Sequence, residues 1–283
     1  MNTTAVSRSD PRIFPTGRAR SPVATLAMVA RVYRHRSLVV ALLLRQLKLR
    51  YRGSILGFVW TFLNPLLLMT VYALVFSFYM RIAVPHYALF LLAGLLPWTW
   101  FATALSEGTN SIVGGSSLVT KSLFPSEILP TVVVLSAMVN FIFSIPLLLV
   151  CAWLYGVTPD PWLWVCLPPV IALQCVFTLG LVLALAALNV HYRDVQHIVT
   201  NVLLLWFFLT PIIYPLEQVP ENVRSIVLLN PMSQFAEIYQ AIFVHMSWPG
   251  WPPFGILAIC ALVSLLVGAR VFDGYRDSFP ELV

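Results

Sequence analysis

Long stretches without Asp, Glu, Lys or Arg dominate the chain: 53–80, 82–106, 128–159, 161–192, 195–216 and 238–269. The shortest runs 22 residues, enough for a helix rising about 1.5 Å per residue to cross a hydrocarbon core about 30 Å thick. Strand spans would need strict alternation of apolar and polar positions, and runs such as LLLMTVYALVF or VLALAALNV show none. The pattern predicts an all-α integral membrane protein of six transmembrane helices.

Three connecting segments have their own character. Residues 31–57 read RVYRHRSLVVALLLRQLKLRYRGSILG, with Leu44, Leu47, Tyr51 and Ile55 on one helical stripe and Arg45, Lys48 and Arg52 on the next. That spacing predicts an amphipathic interface helix lying in the headgroup plane, cations toward phosphate. Gly53-Ser54 and Gly57 let the chain turn into the first span, which Asn64-Pro65 should kink. Residues 107–130 read EGTNSIVGGSSLVTKSLFPSEILP. Here Gly114-Gly115-Ser116-Ser117 breaks a helix and Ser126 offers an N-cap for the third span, so a short docking element is expected over 114–130. In 217–252, Asn230-Pro231 separates VRSIVLL from MSQFAEIYQAIFV, which places Phe235, Ile238, Tyr239, Ile242 and Phe243 on one face. Two short re-entrant or interfacial helices between spans five and six are expected to form an outer gate. The polar residues 1–30 are expected to be a mobile tail, 58–272 the transmembrane domain, and 273–283 a cytoplasmic C-terminus.

Composition narrows the class. With 59% apolar and 10% charged residues and a mean hydropathy of +0.86, a soluble enzyme is excluded. Eleven of the seventeen basic residues precede residue 53, where Asp10 is the only acid. Six crossings with a cytoplasmic N-terminus would put fifteen basic residues inside, leaving only Arg81 and Arg224 outside. This split predicts both termini in the cytoplasm, and it reads as an anchor rather than a nucleic-acid footprint.

Catalytic chemistry is missing. GSSLVTKS echoes a phosphate-binding loop, but the required second glycine is Thr120. No CxxC, HExxH or GxSxG occurs, and His191 and His197, six residues apart, fall on different helical faces. No metal and no catalytic residue is expected. The window centres also lack ionisable groups, which argues against proton or sodium coupling. Any transport must draw energy from elsewhere.

Taken in order, several phrases resemble the membrane subunit of type 2 ABC exporters of lipid-linked polysaccharide, the O-antigen, capsule, teichoic-acid and related glycan permeases. They are LKLRYRGSILGFVWTFLNPLLLM (47–69), LLAGLLPWTWF (91–101), VTKSLFPSEILP (119–130), LAALNVHYRDVQHI (185–198), LTPIIYPLEQVP (209–220) and LLNPMSQFAEIYQAIF (228–243). The resemblance implies a homodimer forming a channel, each copy docked on an ATP-binding subunit. No cofactor is then held on this chain, ATP and magnesium belonging to the partner. It implies the plasma (inner) membrane of a bacterium, a coupling set of Lys121, Phe124, Pro125, Glu127 and Pro130, and an interface set of Arg45, Lys48, Arg50, Tyr51 and Arg52 that meets membrane lipids. Headgroup-height spacing of Arg45, Lys48, Arg50 and Arg52 leads to the expectation that they recruit the phosphate-bearing end of the substrate, with orientation of the protein by its positive charge as the alternative.

Aromatic residues are numerous in spans one (Trp60, Phe62, Tyr72, Phe76, Tyr79), two (Trp98, Trp100, Phe101) and five (Trp206, Phe207, Phe208). Sugar C–H faces pack on aromatic planes, so the span-one set is the candidate channel lining, with an interfacial belt and core packing as the alternative. A type 2 ABC permease for a drug or simple lipid, or an integral-membrane transferase, are the competing functions.

Overall fold

The computed structural model describes residues 23–81, 84–120, 124–157 and 160–283. Two helices open the chain, α1 (Val23–Arg34) and α2 (Arg36–Tyr51). Next come α3 (Trp60–Tyr72), extended by a π-helical stretch over Ala73–Tyr79, α4 (Tyr87–Thr109), and the single turns α5 (Ser111–Gly114) and α6 (Ser116–Val119). The longer helices α7 (Ile128–Leu154) and α8 (Leu167–His191) follow, then α9 (Val195–Phe208), α10 (Glu221–Leu229) and α11 (Pro231–Phe243). The chain closes on α12 (Pro252–Tyr275) and α13 (Phe279–Leu282). Among the described residues there is no strand.

Five apolar elements are long enough to span: Gly57–Tyr79, Tyr87–Thr109, Ile128–Leu154, Trp162–His191 and Pro252–Leu282. The fifth apolar window of the sequence makes only the 14 residues of α9, about 21 Å of helix. It stops because Pro211 cannot continue it, and the Thr210 hydroxyl donates back to the Trp206 carbonyl at 2.8 Å. The 238–269 window is also divided. Its first residues finish α11, the chain breaks over 244–251, and the last span begins at Pro252. The two short helices expected between spans five and six are α10 and α11. Asn230 caps α11 by accepting from the Met232 N–H at 2.9 Å, with Pro231 in the first turn.

The central helix is α4, buried over 78% of its most apolar stretch, whereas the first span is buried over only 6%. α8 and α12 make the closest crossing. Gly268 meets the Gly180 carbonyl so tightly that a Cβ on it would stand 1.9 Å from that oxygen, and the Ser264 hydroxyl donates to the Phe177 carbonyl at 2.8 Å. Small residues allow this approach, since lipid tails supply no hydrophobic drive between spans.

The N-terminal region departs from the expected single helix over 31–57. Helix α1 begins at Val23, inside the stretch expected to be tail, while 1–22 lie outside the described residues. The chain breaks at His35, α2 ends at Tyr51, and Gly53 and Gly57 take left-handed conformations, φ +79° and +47°. The face of α2 that packs is Val39, Leu42 and Leu43, against Ile128 and Val132 of α7. Leu44 and Ile55 of the expected stripe are exposed instead, because apolar residues surround the middle of α2 and α7 covers only one side. Ser126 does not cap α7 through its side chain; Glu127 occupies that position.

Candidate functional site

The last turn of α2, the start of α3 and facing stretches of α4 and α7 enclose a cleft of about 370 Å³. Helical periodicity brings its residues together: Leu96, Thr99, Trp100 and Thr103 form one face of α4, Trp60, Thr61, Asn64 and Pro65 one face of α3, and α7 adds Ala137, Asn140 and Phe141. Tyr51 lies between them, its hydroxyl donating to Asn140 Oδ1 at 2.9 Å while standing 2.6 Å from Thr61 Oγ1. At the edge, Arg50 Nη2 donates to both Glu107 oxygens at 2.7 and 2.8 Å, tying the end of α2 to the end of α4.

Polar demand in this wall exceeds its supply. The Trp100 indole N–H and Asn140 Nδ2 are buried without a hydrogen-bond partner. Flipping the Asn140 amide would only exchange which of its ends is unpaired. Each such group costs about 1–3 kcal/mol when left unsatisfied.

The interface set divides. Arg45, Lys48, Arg50 and Arg52 are all exposed, but of these only Arg50 lies at the cleft edge, beside half-buried Tyr51 in its wall. The candidate channel aromatics divide as well. Trp60 lines the cleft, while Phe62 is half-buried edge-on to Phe58, ring centroids 5.4 Å apart. Tyr72 stacks on Phe207 at 5.8 Å and, with Phe76, packs partly buried against the main core. Tyr79 is exposed beside Phe78, 5.7 Å away. Periodicity in so apolar a helix does not say which face meets a neighbour.

The coupling set is likewise rearranged. Lys121 lies outside the described residues, and Phe124 and Pro125 are half-buried. Glu127 is 1% exposed and pairs with Arg31 of α1, Nε to Oε1, at 2.6 Å. Pro130 is buried in the first turn of α7. Glu127 therefore points into the protein, where Arg31 of α1 meets it. The outward face of the segment is Val113, Ser117 and Thr120, backed by Ile112 and Val119, which pack with Phe279 of α13.

Away from the cleft, a hydrogen-bonded knot ties the end of α9 to the junction of α10 and α11. Trp206 Nε1 donates to Asn230 Oδ1 at 2.8 Å and Asn230 Nδ2 to Thr210 Oγ1 at 3.0 Å. The Pro211 and Ile213 carbonyls, left over where α9 stops, accept from Gln240 at 3.1 Å and Tyr87 at 2.7 Å. Irregular backbone at membrane depth is tolerated where protein satisfies it in this way.

Sequence reasoning passed over Asn140, Thr99, Thr103 and Arg31. The signal available was a lone amide, Asn140, in the third apolar window opposite another, Asn64, in the first.

Five apolar helical elements long enough to span, with a cleft of mixed lining between α2, α3, α4 and α7, define a multi-pass helical membrane protein. Residues 37–244 match the ABC-2 type transporter family, and the chain belongs to it. It is 45% identical over 260 residues to the O-antigen export system permease protein RfbA of Myxococcus xanthus, covering 91% of this chain and all of that one. It is 31% identical to the protein of the same name from Klebsiella pneumoniae, over 87% of this chain and 95% of that one. The polysialic acid transport protein KpsM of Escherichia coli is 23% identical over 83% and 92% of the two chains.

Proposed function

We propose that this chain is the permease subunit of an ATP-driven exporter that carries a lipid-linked polysaccharide out of the cytoplasm across the inner membrane. The observation that carries the reading is the 45% identity to an O-antigen export permease over 91% of the chain. Both termini lie in the cytoplasm on this reading, which agrees with the inside bias of the basic residues. That orientation puts the Arg50–Glu107 end of the cleft at the inner leaflet and the α10–α11 pair at the outer mouth. The passage forms between two copies. The first span supports this, since it packs so little within its own chain and carries Asn64, Thr70 and Ser77 exposed, polar groups better suited to a water-filled passage or a second copy than to lipid. Arg45, Lys48 and Arg52 face anionic headgroups and the phosphate of the lipid carrier, each contributing about 1 kcal/mol.

ATP and magnesium bind a separate subunit that docks on Val113, Ser117 and Thr120 and on the adjoining residues from Lys121 to Pro125. Ser117→Trp and Thr120→Trp should obstruct that contact while leaving the membrane helices folded, because both side chains are exposed. Recovery of the ATP-binding subunit with the tagged permease is expected to fall at least about tenfold, or about 1.4 kcal/mol of association free energy. Undiminished recovery in both variants would place the docking surface elsewhere.

A further inference from the structure

Resting on the permease reading, we propose that the cleft between α2, α3, α4 and α7 is a binding subsite for a glycosyl phosphate, with one sugar ring inside the wall and its phosphate at the mouth beside Arg50. The wall combines two features that recognise a sugar. Trp60 presents a partly exposed ring, 39%, on which C–H faces can pack. Tyr51 and Thr61 are already ordered by hydrogen bonds. Behind them the Trp100 N–H and one end of the Asn140 amide, both closed off from water, have no hydrogen-bond partner among the described residues. Ring hydroxyls both donate and accept, so they can replace cleft water on the Tyr51 and Thr61 hydroxyls, which Asn140 holds in place through Tyr51, at nearly equal hydrogen-bond strength. A lipid tail offers neither function. At about 370 Å³ the cleft is at the small end of ligand sites, which suits a single ring rather than a polymer.

The mouth supplies the charge. Both bonds from Arg50 to Glu107 come from one nitrogen, Nη2, so this ion pair does not use the guanidinium as a fork. Its other N–H groups can take a phosphate oxygen while Nη2 stays on Glu107. Exposed Arg45, Lys48 and Arg52 on the same helix and its end outweigh the single Glu107 carboxylate and keep the mouth attractive to an anion.

The test is equilibrium binding of radiolabelled N-acetylglucosamine 1-phosphate to the intact exporter complex in phosphatidylcholine nanodiscs. Parallel arms use free N-acetylglucosamine, inorganic phosphate, and nanodiscs containing phosphatidylglycerol. Saturable binding is expected, weakened at least tenfold by Asn140→Leu and by Trp60→Ala. The second variant alters an exposed side chain and so guards against misfolding by the first. Arg50→Gln should weaken the sugar phosphate but leave free sugar unchanged. The proposal is overturned if the wild type shows no saturable binding or if neither wall variant changes it. Inorganic phosphate binding as tightly as the sugar phosphate would also overturn it, as would phosphatidylglycerol abolishing the binding, since the cleft would then hold a headgroup. Recovery of the ATP-binding subunit and ATP-dependent export, measured on the same preparations, report on the permease reading separately. Those intact with no probe binding remove the subsite alone.

Discussion

Gly268→Val is expected to abolish accumulation of the folded protein in the membrane. A Cβ at Gly268 would lie 1.9 Å from the Gly180 carbonyl oxygen, and one at Gly180 would lie 2.3 Å from the Ser264 carbonyl carbon. The obstacle in each case is helix backbone, which cannot swing aside as a side chain does, so α8 and α12 must separate along their length. Overpacking against movable side chains costs about 1–3 kcal/mol; with backbone on both sides the loss should exceed about 4 kcal/mol, the range reserved for broken cores. Ser264→Ala preserves the close approach and removes only the hydrogen bond to Phe177, a change of about 0.6 kcal/mol in membrane proteins. Thermal unfolding in detergent, followed by a dye that reacts with the buried Cys166 thiol, should rank wild type and Ser264→Ala close together and find little or no folded Gly268→Val. A valine variant of near-normal stability would mean the two helices do not cross at these glycines.

The second large effect concerns Arg31. It neutralises a carboxylate that is 1% exposed, while its own side chain remains 32% exposed. Stripping one partner from a fully buried pair costs about 3–5 kcal/mol; with Arg31 partly in water, about 2–3 kcal/mol is the expected loss for Arg31→Ala. The double variant Arg31→Ala with Glu127→Gln should recover much of it, since no charge is then stranded. The pair joins α1 to the start of α7, directly after the docking segment, so the single variant should also lose ATP-binding subunit on purification. A double variant as unstable as Arg31→Ala would show that packing of the arginine stem, not its charge, holds α1 in place.

What was legible in the sequence follows from which signals are local. Charge-free windows revealed the spans because each must satisfy bilayer thickness on its own. The division into α10 and α11 was readable because Asn230-Pro231 is both a stop and a cap. Pro211 marks where α9 ends, but an apolar window counts residues regardless of backbone, so the shortness of that helix was hidden. The inward turn of Glu127 was not readable, as its partner Arg31 lies 96 residues away and only the folded chain brings the two together. The cleft is similar: Tyr51, Trp60, Trp100 and Asn140 come from four helices, and no spacing along the chain records their meeting. Among the aromatics of the first span, burial separates Trp60 from Tyr72, and both look alike in a helix that is apolar on every side.

The central claim is that this chain moves a lipid-linked polysaccharide using ATP hydrolysed by another subunit. It is tested most directly in inverted membrane vesicles that carry the chain together with its ATP-binding subunit. Lipid-linked polysaccharide added on the exposed cytoplasmic face should become enclosed in the vesicle lumen when hydrolysable ATP is supplied. It should remain outside with a non-hydrolysable analogue or when this chain is omitted. Enclosure without ATP hydrolysis, or none by an intact, ATP-hydrolysing complex, would contradict the account.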